Sequence, residues 1–417
     1  MNTDDLILVS IDDHVVEPPD MFDGHVPKKW ADLAPKVVVD DQGIDRWIYR
    51  DRPTGVAGLN AVVTWPPEEW GRDPAGYAEM RPAVYDVHDR VRDMDANGVL
   101  ASMCFPTFTG FSAGHLTHRK DEITVAMIQA YNDWHIEDWA GAYPGRFIPI
   151  AILPLWDPQL AVAEIARVAA KGCHSVTMPE LPHIDGLPSY HDIDYWRPVF
   201  AALCEHGTVM NLHIGQGFGV LRLAPDAPID NLMVLAPSIS LIAAQDLLWG
   251  PAFRAFPKLK VALSEGGVGW IPFFLDRSDR HYTNQRWLRR DFGGKLPSEV
   301  FREHVLACYV TDRTSLKFRT DIGIDNIAWE CDYPHSDSIW PNAPEFVLEE
   351  LNAAGATDEE IHKITWQNAT RWFDWDPFGH IPREQATVGA LRATATDVDI
   401  STTSRKEYAA AYARRAS

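Results

Sequence analysis

The chain has 417 residues, 46% of them hydrophobic and 23% charged, and a formal net charge of −21. That length suits one large α/β domain with insertions as well as it suits two or three average domains. The acidic balance repels phosphate backbones and anionic lipid, so neither nucleic acid nor a membrane surface is an expected partner.

The opening residues, Met1 to His14, have no basic n-region and no long apolar run, and no signal peptide is expected. No stretch approaches the roughly 18 apolar residues of a membrane span. The five cysteines, Cys104, Cys173, Cys204, Cys308 and Cys331, are odd in number and scattered. They read as reduced core cysteines of a cytoplasmic protein, not as a disulfide framework or a zinc knuckle.

Short apolar, β-rich runs recur along the chain: Leu6–Ile11, Val99–Phe105, Phe147–Leu153, His174–Met178, Thr208–Leu212, Leu259–Leu263, Val305–Thr311 and Asn326–Cys331. Parallel strands covered on both faces have this near-continuous apolar character. Helical patterns lie between them. Asp86–Gly98 carries Val87, Val91 and Met94 at helical spacing. Asp121–Gly141 is long and periodic. Asp157–Gly172 opens on an aspartate cap followed by proline and stops at glycine. The later candidates are Asp194–Gly207, Pro237–Phe256, Trp270–Trp287, Thr314–Gly323, Ala343–Gly355 and Thr357–Phe373. The repeated alternation predicts a (β/α)8 TIM barrel; a doubly wound sheet would also alternate and stays open.

Two segments stand outside the repeat. Asp13–Pro82 is rich in proline and tryptophan and reads as a long insertion after the first strand, with short strands of its own near Lys36–Val39 and Trp47–Arg50. It would overhang the mouth of the barrel. Residues 1–380 are therefore assigned to the barrel and 381–417 to a C-terminal extension. Within that extension, Ser404–Ala416 is open between an arm, a partner-binding helix and a disordered tail.

Polar residues of ligand type stand at the ends of the predicted strands. Asp12 and His14 are two apart at the end of the first strand, where alternate side chains share a face. The fourth run leads to Glu180, the fifth to His213, the sixth to Glu265 and the eighth to Asp332, with His335 three residues on. Such groups next to buried strands are costly unless paired or metal-bound, and all of them fall on the face where barrel sites lie. Each has a plain structural alternative: His213 as a satisfied core histidine, Glu265 as a helix cap, Asp332 as a turn brace, His335 as a loop residue.

The segments SIDDHVVEPPDMF, NLHIG, LSEGGVGW, ECDYPHSDSIWP and KITWQNATRWF, in this order, resemble the second amidohydrolase family, which includes aminocarboxymuconate semialdehyde and resorcylate decarboxylases. The resemblance runs from Leu6 to Phe373. It implies a (β/α)8 barrel with metal ligands from strands one, five and eight, here Asp12, His14, His213 and Asp332. Two departures stand out. The first strand has Asp-x-His where His-x-His is common, and Glu265 stands where the sixth strand usually has a histidine. The carboxylate-rich set implies one or two divalent ions, Fe, Zn or Mn; with two ions, Glu180 and Glu265 join the ligands.

Hydrolysis of an amide, ester or thioester is the first mechanistic expectation, with metal-activated water, Asp332 as the proton acceptor and His335 as its assistant. Non-oxidative decarboxylation of an aromatic or enoic acid is the second, and a non-catalytic ligand-binding barrel the third. A bulky apolar small-molecule substrate is expected, with Trp65, Trp270 and Trp340 as candidate walls. A homodimer is left open.

Overall fold

The first strand, β1, spans Val9–Val15 and is buried at every position in the computed structural model, which describes residues 1–221 and 223–416. It carries Asp12 and His14 inside the strand, not beyond its end as the sequence suggests. Three strands follow in the insertion: β2 (Lys36–Val39), β3 (Asp45–Tyr49) and β4 (Arg52–Val56). They form a small antiparallel sheet in the order β2-β3-β4. β5 (Ala101–Pro106) pairs parallel with β1. Next come β6 (Ser175–Met178), β7 (Val209–His213), β8 (Val261–Ser264), β9 (Val305–Tyr309) and β10 (Ile327–Trp329). These five make a parallel sheet in chain order. Helices connect successive strands, the βαβ repeat that parallel pairing requires.

Contacts divide the chain into two units. The first comprises residues 1–152, 330–346 and 376–417; the second comprises residues 153–329 and 347–375.

In the first unit the helix Val87–Asn97 starts where Asp86 accepts hydrogen bonds from the amides of His88 and Asp89, and it stops at Gly98 with φ 76°. That cap and left-handed stop are the ones its sequence signals. The helix Glu122–Trp134 is capped by Asp121 and runs on as a π-helical turn, His135–Ala140. The third apolar run is where the sequence expectation departs most. No extended strand forms there, only isolated bridge residues, Phe147, paired with Ser102, and Ala151. Pro149 has no amide hydrogen to give a ladder. The side chain of Asn132 takes the ladder's place, donating to the Ile152 carbonyl and accepting from its amide, both at 2.9 Å.

The insertion packs on the segment after β5: Trp47 and Tyr49 are fully buried, and Trp47 stacks on Phe108 at 4.4 Å. The amides of Val62 and Val63 donate to the carbonyl of Pro334, at 3.1 and 3.0 Å. The insertion is thereby tied to the loop that follows Asp332. The C-terminal helix Arg405–Ala416 folds back onto the insertion. Tyr408 and Thr64 share a hydroxyl hydrogen bond of 2.6 Å, and the Thr403 amide donates to the Thr64 carbonyl at 2.9 Å.

In the second unit the helix Pro158–Ala169 begins at the Asp157 cap and packs on Ile193–Glu205. Among the described residues none of the five cysteines forms a disulfide, and four of them are buried. Among the described residues no single helix is long and apolar enough to cross a membrane.

Candidate metal centre

The pairing of β1 with β5 slips between Ser10 and Asp13, where Ile11 and Asp12 stand opposite Met103 alone. A bulge of this kind re-aims side chains at a strand end. On its other edge β1 meets the segment that follows β10. The Cys331 amide donates to Ser10 Oγ at 2.8 Å, the Asp332 amide to the Asp12 carbonyl at 2.9 Å, and the His14 amide to the Tyr333 carbonyl at 2.7 Å. This short ladder brings residues 10–14 and 331–333 side by side.

Asp332 takes a positive φ of 55°, a conformation that costs a non-glycine residue energy and is kept where neighbours impose it. Its Oδ1 lies 3.2 Å from His14 Nε2 and 2.9 Å from His335 Nδ1. His14 Nε2 is 3.7 Å from Asp12 Oδ1, and the His14 and His335 rings stack with centroids 3.8 Å apart. Asp12, His14, Asp332 and His335 are all at most 6% exposed. The ligand atoms of His14, Asp332 and His335, one from each, lie within 4.8 Å of one another. Burial pushes the Asp332 carboxyl upward, but the His335 charge and the hydrogen bonds from His14 and His335 outweigh it and hold the acid well below the ordinary carboxylate range. A fixed carboxylate beside two imidazoles fits a divalent cation of the manganese, iron or zinc class.

Behind these residues lies a supporting layer that the sequence reading missed. Asp13 accepts from the Tyr333 amide at 2.8 Å and from the Ser102 hydroxyl. Burial raises its carboxyl to about 6, against the pull of the nearby Arg90 charge. Arg90 is 1% exposed; it donates to the carbonyls of His14 and Ala83, and its guanidinium lies 4.2 Å from the Tyr333 ring centre. Glu17 accepts from the amides of Thr107 and Phe108, at 3.0 and 2.8 Å, and from the Tyr131 hydroxyl at 3.2 Å. It anchors the loop after β5, from which Phe111 reaches the His14 ring at 5.4 Å. Burial outweighs those hydrogen bonds and lifts the Glu17 carboxyl to about 7. The visible signal was an unbroken polar string, Asp12-Asp13-His14 with Glu17, in a segment otherwise apolar enough to be buried.

In the second unit His213 closes β7 and its Nε2 lies 3.4 Å from Glu265 Oε2. Glu265 follows β8 directly, with φ 56°. The next residue, Gly266, has no room for a side chain: a Cβ there would lie 2.6 Å from Ser240 Cβ. The Val268 amide then donates to Asp312 at 2.9 Å. Glu180, 1% exposed, accepts from the Gly217 amide at 3.1 Å, and burial raises its carboxyl to about 7.

The three candidate tryptophans are each tied to backbone. Trp65, 2% exposed, donates its indole hydrogen to the Glu79 carbonyl at 3.1 Å. Trp270 donates to Gly266 at 3.1 Å and Trp340 to Asp93 at 3.0 Å.

A family model described as amidohydrolase matches residues 24–375. The chain belongs to the amidohydrolase family. This family member has the (β/α)8 barrel fold, and it is an enzyme of the amidohydrolase superfamily. It is 26% identical over 338 residues to gamma-resorcylate decarboxylase of Rhizobium radiobacter, covering 73% of this chain and 94% of the relative. A solved amidohydrolase of Mycobacterium avium subsp. paratuberculosis superposes with a TM-score of 0.67 at 22% identity, over 88% of this chain and 99% of the other. A dihydroxybenzoic acid decarboxylase of Polaromonas, solved with bound manganese, gives a TM-score of 0.56 at 20% identity, over 76% and 92%.

Proposed function

We propose that this amidohydrolase is a divalent-metal-dependent, non-oxidative decarboxylase of an aromatic acid. From sequence, hydrolysis came first and decarboxylation second. The decarboxylase relatives reverse that order, and the observation carrying the reading is the buried Asp332–His335 pair set against His14.

The proposed ligands are Asp12, His14 and Asp332 with His213. Glu180 and Glu265 are proposed for a second ion if one binds. A bound divalent cation would supply an electrophile for the substrate carboxylate and a neighbouring ring oxygen.

Loss of carbon dioxide breaks the bond between ring carbon and carboxylate. The electron pair stays on the ring carbon, which must then collect a proton. His335 can meet that need: its Nδ1 lies 2.9 Å from Asp332 Oδ1, and in the protonated form it would give the proton to the ring carbon while the Asp332 carboxylate balances the imidazolium charge and orients the ring. Phe105 and Phe111, with ring centres 6.2 and 5.4 Å from that of His14, offer apolar surface to a planar substrate. Burial around the pair keeps bulk water from competing for the developing charge.

The test uses purified protein of measured metal content, assayed for carbon dioxide release from 2,6-dihydroxybenzoate and related hydroxybenzoates, with aryl esters and thioesters run in parallel. Metal-dependent carbon dioxide release supports the proposal. Acid release from the esters with no carbon dioxide from any benzoate replaces it with hydrolysis.

A further inference from the structure

At the opposite end of the second unit's strands from His213 and Glu265 lies a cavity of about 280 Å³. It forms where the helix Ser238–Trp249 ends and where residues 285–296 join the helix Ile271–Asn284 to Pro297–His304, which feeds directly into β9. Trp249 and Tyr282 wall it, and His281, Arg286 and Arg290 line it. The walls are fixed by edge-to-face contacts: Trp249 with His281 at 5.3 Å, and Phe292 with Trp249 and Tyr282, both at 5.2 Å.

The charge here runs against the rest of the chain. Positions 277 to 295 carry six lysines and arginines against two aspartates, in a protein of net charge −21. Arg254 stands beside this cluster, over the Phe292 ring at 5.4 Å, and its Nη1 is buried without a hydrogen-bond partner. Burial, then the Arg290 charge, lower the Arg254 guanidinium from its usual range, with Asp291 opposing. Arg286 and Arg290 hold like charges at one open space, with His281 as a further donor, and a bound anion relieves that repulsion. Aromatic walls add a surface on which a flat ring can stack.

We propose that this cavity binds a small organic phosphate, its phosphoryl group held by Arg290, Arg286 and His281 and its ring against Trp249 and Tyr282. The site lies outside the proposed metal centre and stands whether or not the decarboxylase reading does.

Titration calorimetry of the intact protein with phenyl phosphate and with inorganic phosphate tests it. Phenyl phosphate should bind saturably and more tightly than inorganic phosphate. Arg290→Ala and Arg286→Ala, both at exposed positions, should each weaken binding by about tenfold. The proposal fails if no saturable binding occurs up to about 10 mM. It also fails if the two ligands bind equally, or if both variants bind as the parent does.

Discussion

His14 Nε2 lies 3.2 Å from Asp332 Oδ1, and the backbone of each residue is hydrogen-bonded to the other's neighbours, Tyr333 and Asp12. The carboxylate is thus placed by the main chain before any ion binds. Asp332→Asn keeps the shape and removes the charge. It should cut metal content and lower turnover by about 100-fold or more, with the far-ultraviolet circular dichroism spectrum unchanged. Elemental analysis beside kinetics checks this; parent-level metal and rate in the variant would remove Asp332 from the ligand set.

Glu17 gives a pH signature. Its carboxyl sits at about 7 in the folded chain, against 4.5 ordinarily. Between those values the folded protein keeps a proton that the unfolded chain has released, so stability declines as pH rises through the window and levels off above it. The contribution is on the order of 3 kcal/mol. Melting temperatures of the parent and Glu17→Gln across pH 4.5 to 7 isolate it. The parent's decline should exceed the variant's, and parallel curves would show that Glu17 ionises normally.

Gly266 lets the chain pass Ser240 just after Glu265. Gly266→Ala forces a Cβ into that contact and should destabilise the protein by about 1–3 kcal/mol. Adding Ser240→Gly should restore most of the loss. Thermal unfolding of the single and double variants decides: an additive second loss would place the strain elsewhere.

Asn132 replaces a missing strand ladder at Ile152. Asn132→Leu fills a similar volume but strands one buried carbonyl and one buried amide, and should cost about 2–4 kcal/mol. Denaturant unfolding measures it; a change below about 0.5 kcal/mol would mean the backbone finds other partners.

Much of the candidate centre was legible in the sequence because strand ends and ligand-type residues coincide. Asp12, His14, His213, Glu265 and Asp332 stand out against apolar surroundings, and the capping aspartates Asp86, Asp121 and Asp157 mark helix starts by their chemistry alone. What stayed hidden depends on contacts between distant positions. Nothing in Phe147–Leu153 says that Asn132 will satisfy Ile152 in place of a neighbouring strand. No local pattern shows that Arg90 will hold the His14 carbonyl, or that the indoles of Trp65, Trp270 and Trp340 will each be spent on a backbone oxygen. The bulge at Ile11 and Asp12 is equally silent, since it arises from pairing with β5.

The first unit is assembled from segments far apart in the sequence, with β1 bonded to residues 331–333 and the insertion clasped by Thr403 and Tyr408. During synthesis the polar groups of Asp12 and His14 therefore wait, without these partners, until residues 331–333 have left the ribosome. The earlier-made segment reaches its final form only after the later-made one has emerged. Newborn chains of this enzyme carry the proposed ligands Asp12 and His14 uncovered until that point, and a nascent protein stalled before residue 331 is expected to be a substrate for chaperones.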